Sequence, residues 1–380
     1  MLHSEEYFEH NCHIYIQRFY IGGVFMTFYS EKISILTDSC QNVCSFQWRN
    51  KTIFAYFFNI SSGEMEKKII VEDSLEEYDV AIGENDYIYL IYQNIDRHLV
   101  LVTIFRDYID IVTLTEEPIS NVYDLSILLD REEIHIFYNT LLKEDEKVYR
   151  LYHHHYDENT WITNIVEDIK VKQVLNSFCL TLKDYSIFIF YYDCVEEEEE
   201  IFLKKYDTVQ KKWLEKQKIT YGFNSKLYMD ILIEKNILHI VYSQNFDGNL
   251  SIVYEKYDIV GVEAVLLKKE ILSNAENCLY PTIIKYEDKL WVAWIEYDAV
   301  LSRFSIDGGE NWSSIYLWRK SKSIDIVRYK YGDNSIKENN KKLNYSFGSI
   351  YPEISFIGFG PLEDVQEIPI KKKYRKIPRF

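Results

Sequence analysis

The chain has 380 residues, 47% of them hydrophobic, enough for one large core or for a stacked array of repeats. Its 33 tyrosines and 21 phenylalanines suit pleated sheets better than long helices and point to an all-β fold. A net charge of −17 argues against a nucleic-acid partner, and no stretch reaches the roughly 18 uninterrupted apolar residues of a membrane helix.

The opening residues, MLHSEEYFEHNCHIYIQ, lack the basic and apolar segments of a secretory leader. A cytoplasmic location is therefore expected, with a surface, spore or phage-like particle as the alternative. Six scattered cysteines (Cys12, Cys40, Cys44, Cys179, Cys194, Cys278) suit free thiols in a reducing compartment. HIYIQRFY, GGVFMTFYS and KISILTD then read as three strands.

From there a short apolar run ending in an aromatic recurs. The copies are TIFAYFF (52–58), YIYLIY (87–92), IHIFY (134–138), IFIFYY (187–192), ILHIVY (237–242) and LWVAW (290–294). Before each of the last five lies a polar turn, and before most turns a further apolar stretch such as YDLSILL or YMDILI. Two β-runs across a short polar turn make a hairpin. A second marker keeps the same step of about fifty residues: Asp107, Asp157, Asp207, Asp258 and Asp307, with Trp161, Trp213 and Trp312 following three of them. Each unit thus reads as four strands. Such a sheet cannot bury both faces alone, and radial stacking solves this while leaving only short edges, so the predicted architecture is a β-propeller.

Ser305-x-Asp307-x-Gly309-x-x-Trp312 matches the Asp box, and over residues 50–330 the chain resembles the Asp-box (BNR-repeat) propellers of the sialidase-like superfamily. That resemblance implies that Ser305, Asp307, Gly309 and Trp312 form a structural turn between third and fourth strands, on the face opposite the ligand. The faded copies at Asp157, Trp161, Asp207, Trp213 and Asp258 would do the same. Asp and Ser can bond the turn's own backbone, and Gly supplies a positive φ.

Counting hairpins gives six units. The N-terminal strands, joined by SIDIVRYKY (323–331), would complete a seventh, so seven blades are expected, six being the alternative, with the ring closed by N- and C-terminal strands. Residues 1–332 form the propeller, 333–343 a polar connection, 344–370 an aromatic-rich arm and 371–380 a basic tail. The arm is the expected route of any self-association.

Propeller ligands usually sit at loops around the channel mouth. Candidates there are Arg97, Asp193, Glu197, Asn245, Asp247 and Tyr280. The run Asp193–Glu200, with five consecutive glutamates, reads as a solvated loop to which calcium would be the best-suited ion, although no cofactor is expected. His153, His154 and His155 read as surface histidines without a metal. A sialidase would need three arginines around the substrate carboxylate, and no such triad can be assembled. The leading expectation is a non-catalytic module binding a glycan or protein. A degenerate sialidase-like hydrolase and a structural assembly component are the alternatives.

Overall fold

The computed structural model describes residues 20–21, 24–25, 32–131, 133–157, 160–172, 174–222, 224–246, 248–261, 263–334, 341–350 and 354–371. Among these the fold is an all-β propeller of six blades, each an antiparallel sheet with strands in chain order from the axis outward.

The first blade comprises Ile33–Thr37, Val43–Arg49, Thr52–Phe58 and Met65–Val71; the second, Ser74–Ile82, Ile88–Asn94, Leu99–Phe105 and Tyr108–Thr113. Val122–Asp130, Glu133–Lys143, Val148–Asp157 and Thr160–Lys170 build the third. In the fourth, Cys179–Lys183, Ser186–Val195 and Glu198–Asp207 are followed by two short segments, Lys212–Trp213 and Gln217–Lys218, both paired with the third strand. The fifth holds Lys226–Glu234, Ile237–Phe246, Asn249–Asp258 and Val265–Ile271. The sixth holds Leu279–Tyr286, Lys289–Glu296, Ala299–Ser305 and Ile315–Trp318.

Second strands of the second, fourth, fifth and sixth blades are buried along most of their length, as in Ile237–Phe246, because a neighbouring sheet covers each face. They therefore read as continuous apolar runs rather than alternating ones. Outer strands such as Tyr108–Thr113 and Val265–Ile271 are largely exposed. The core is correspondingly divided into clusters between successive blades.

The seventh blade is not formed. Thr52–Phe58 is a third strand, not a second; the true second strand of the first blade is Val43–Arg49. That error of phase also explains the short step between the first two recurring runs. KISILTD supplies the inner strand of the first blade, while most of HIYIQRFY and GGVFMTFYS lies outside the described residues. SIDIVRYKY does supply an inner strand, but Val327–Asp333 lies parallel to Ile33–Thr37, beside a blade that is already complete. Tyr345–Gly348 then pairs with Val327–Asp333, and Lys341–Leu343 pairs with the inner strand of the sixth blade. Val365–Ile368 adds an outer strand to that blade.

The last part of the chain thus fills the seam between the sixth and first blades. On one side Phe347, Ile357 and Phe359 pack against Trp291 and Ile295; on the other Val327, Tyr329 and Ile350 pack against Ile33 and Ile35. The stretch read as an arm is largely folded onto its own propeller.

At the Ser305–Trp312 turn, Ser305 Oγ accepts from Gly309 N (2.8 Å) and donates to Asp307 Oδ1 (2.7 Å). Asp307 also accepts from the backbone of Glu310 and Asn311. Gly309 has φ +89°, and a Cβ there would stand 1.9 Å from the Tyr254 hydroxyl. Trp312 packs edge-on against Tyr254. Asp207 and Asp258 accept from backbone N–H groups two residues on in the same way. Trp161 stacks on His154 and Trp213 packs at a tilt against Tyr206, whereas Asp157 ends its strand.

Candidate functional site: a cavity at the mouth of the central channel

The inner strands of the third, fifth and sixth blades share an irregularity near their starts. Asp124 with Leu125 opposes one residue of the neighbouring strand, as do Tyr228 with Met229 and Tyr280 with Pro281. In each of these β-bulges the first residue has positive φ: Asp124 54°, Tyr228 55° and Tyr280 51°. For a tyrosine that conformation costs about 1–3 kcal/mol and persists only where the surroundings impose it. Bulges re-aim side chains, and here all three line one cavity of about 350 Å³ on the channel axis.

The closing segment forms the floor. Arg328, Lys330 and Tyr345 line the cavity together with Lys32, Asp79 and Ser177. The Arg328 guanidinium stacks 3.7 Å from the centroid of Tyr345, and the Tyr228 and Tyr280 rings lie 4.3 Å apart. Lys330 donates to Asp79 (2.5 Å), which also accepts from Ile127 N in the next blade. Asp124 accepts from Ser177 Oγ (2.6 Å), and burial raises its carboxyl above the ordinary range against the pull of Ser177 and Lys32. Burial, reinforced by Tyr280, pushes the Tyr228 phenol up to about 12. The site therefore offers aromatic faces beside both signs of charge. A second cavity of about 280 Å³, lined by the far ends of the inner strands, lies beyond Lys330 and Tyr345.

Of the six mouth residues expected from sequence, Tyr280 lines the cavity. Arg97 is exposed in a turn between second and third strands, with φ 68°, and Glu197 occupies the equivalent turn of the fourth blade. Asn245 caps its own turn by accepting from Gly248 N, and Asp247 lies outside the described residues. Asp193 is buried, accepting from Lys170 N and pairing with Lys216. Asp124, Tyr228, Arg328, Lys330 and Tyr345 were missed. The signal was the dipeptide at the head of each inner run, Tyr78-Asp79, Tyr123-Asp124 and Met229-Asp230.

Two other readings need correction. The glutamate run is not a solvated loop: Glu196 and Glu197 alone make a two-residue turn, both at positive φ, and Glu198–Asp207 is a strand. Glu199 and Glu200 are buried, and Glu200 accepts from the fully buried Lys226 (2.7 Å), from Thr220 Oγ1 (2.6 Å) and from Gly222 N (2.8 Å). Removing one partner of such a pair leaves the other uncompensated. Glu200→Ala is expected to cost about 3–5 kcal/mol in urea unfolding, and a loss below about 1 kcal/mol would show that water replaces the carboxylate.

Nor are the histidines on the surface. His153, His154 and His155 are at most 5% exposed, since the adjoining blade and Trp161 cover the two faces of their strand. His153 stacks on Phe137 and shares a 2.9 Å hydrogen bond with His135 Nδ1. Burial depresses the imidazoles of His135, His153 and His154, His135 to about 3 and His154 to about 4, with neighbouring histidines adding repulsion.

No protein-family model matches the sequence, and no curated protein does. Among solved structures, the chain is similar to the SapL1 lectin in complex with α-methyl fucoside (10% identity, TM-score 0.44, 75% of this chain and 95% of the other). It is also similar to the fucose-specific lectin of Aleuria aurantia (11%, TM-score 0.45, 76% and 95%). An α-L-arabinofuranosidase of Fusarium graminearum gives 8% identity and a TM-score of 0.45 over 71% and 91%. Likeness at this level says nothing about ligand. These likenesses do not support the sialidase-like resemblance, and among the described residues no helix is long and apolar enough to cross a membrane.

Proposed function

We propose that the protein is a non-catalytic binding module whose axial cavity takes a small polyhydroxylated ligand, a monosaccharide or the terminal residue of a glycan. The observation that carries this reading is the repeated strained bulge. Tyr228 and Tyr280 are held at a conformational cost, and both present rings to the same space as Asp124 and Arg328. Sugar recognition combines an aromatic platform for C–H groups with charged or polar partners for hydroxyls. A sialidase-like hydrolase would need several arginines, and Arg328 is the one arginine among the described residues lining the cavity. The C-terminal segment's own contacts lie within the propeller, which favours binding over assembly through that segment.

Calorimetric titration with neutral and acidic monosaccharides tests the proposal. The parent chain should bind at least one, and Tyr280→Ala should weaken that binding about tenfold, the worth of one aromatic stack of roughly 1–1.5 kcal/mol. Tyr280→Gly should also lose binding, yet melt no lower than the parent, because relief of the strained φ offsets the lost ring contact. A parent chain that binds none of the sugars would overturn the reading.

A further inference from the structure

On the opposite face, the hairpin turn of the third blade brings together three groups with no assigned role. Asp130 and Glu133 are the last cross-strand pair before the turn, directly opposite one another. Two like charges in that position repel and destabilise the hairpin. His135, two residues on along the same strand face, completes the group, and the three ligand atoms lie within 4.8 Å of one another. The nearby Arg131 guanidinium lies over the ring of Tyr185.

His135 supplies the second, independent observation. Its side chain is 1% exposed, and Nε2 has no hydrogen-bond partner although it lies 3.7 Å from Glu133 Oε2. A buried polar atom left without a partner costs about 1–3 kcal/mol, and native structures rarely leave one unexplained. The ring's other nitrogen is held by His153 Nε2 at 2.9 Å. If Nδ1 carries the proton and donates it to His153, the lone pair of Nε2 faces the two carboxylates. This is the arrangement of a metal-binding imidazole oriented by a neighbour on its far nitrogen.

We propose that Asp130, Glu133 and His135 form a binding site for a first-row divalent cation of the zinc class, with water completing the coordination. One imidazole and two carboxylates suit such an ion, whereas calcium prefers an all-oxygen shell. The ion would neutralise the facing carboxylates and partner the orphaned nitrogen. It would also pin the turn between the inner and second strands of the third blade. The site is independent of the sugar-binding reading, since it lies at the opposite ends of the inner strands.

The test is titration of the full chain with Co²⁺, followed by visible absorption, and thermal unfolding with Zn²⁺ or with EDTA. One equivalent should give a tetrahedral or five-coordinate d–d band, and Zn²⁺ should raise the melting temperature relative to EDTA. Asp130→Asn with Glu133→Gln, both on the turn's outer side, should weaken binding about tenfold or more while the fold, read by circular dichroism, is kept. Absence of a band in the parent would overturn the proposal. So would a band that the double variant keeps, since His3, His10, Cys12 and His13 could then be its source. A shift of equal size with Ca²⁺ would overturn the choice of ion.

Discussion

Acidification from about pH 7 to pH 4 is expected to remove several kcal/mol of stability. His135, His153, His154 and His239 are buried and neutral, with pKa values of about 3 for His135 and His239 and about 4 for His154, below the ordinary 6.5. A depressed folded pKa means that the unfolded chain takes up protons first as pH falls. The stability from these groups is therefore complete above pH 6.5 and drains away between 6.5 and 3–4. One unit is worth about 1.4 kcal/mol, so a single such histidine contributes on the order of 3 kcal/mol. Two together rival the lower end of the ~5–15 kcal/mol typical of folded proteins. Asp307 and Asp168, whose carboxyls are lowered by hydrogen bonds from Asn311 and Arg150 respectively, extend the loss in the same direction only below about pH 4, where their unfolded counterparts protonate. Asp124, Asp230 and Glu199, raised by burial, act against it. Urea midpoints measured across this range should fall steeply below pH 6, and His154→Asn should flatten the curve. A profile level from pH 7 to 4.5 would contradict the account.

A chain ending at Ser323 is expected not to fold. It would lose Val327, Tyr329 and Phe347, all fully buried, each worth roughly 2–3 kcal/mol of apolar burial. It would also expose the inner edge of Ile33–Thr37 and the flank of the sixth blade that Phe347 and Ile357 cover. The sum is comparable to the whole stability of a domain. Circular dichroism and gel filtration of the truncated chain decide the matter, and a monomer with native spectra would mean that six blades close unaided.

Most of the architecture could be read from the sequence because the second strands are sandwiched between blades. IFIFYY is apolar or aromatic throughout for that reason, ILHIVY departs from this only at the buried His239, and their spacing exposes the repeat. The first blade broke the pattern because VCSFQWR, its second strand, carries Gln47 and Arg49 near its end, so TIFAYFF drew the phase to itself. The site was harder to read for a different reason. A β-bulge at Asp124, Tyr228 or Tyr280 changes which way a side chain points without altering residue type. Strand periodicity alone therefore assigns these residues to the wrong face. Arg328, Lys330 and Tyr345 reach the cavity from a segment some fifty to a hundred residues from the fifth- and sixth-blade bulges, and no local pattern announces such a meeting. Composition misled at Glu199 and Glu200, where a run of like charges hid a buried pair completed by Lys226.

The parallel pairing of Val327–Asp333 with Ile33–Thr37 has a kinetic consequence. Its partners are separated by almost three hundred residues, whereas the next most distant pairing of an inner strand, Leu279–Tyr286 with Lys341–Leu343, spans fewer than sixty. Loops of that length close slowly and late. During synthesis the first blade must wait with one edge bare until all the others have emerged. In that interval the emerging chain is an open arc with two adhesive ends, the state in which strand exchange between molecules competes with closure. Refolding should accordingly show a slow, concentration-sensitive final phase that fast-forming hairpins in the middle blades do not share.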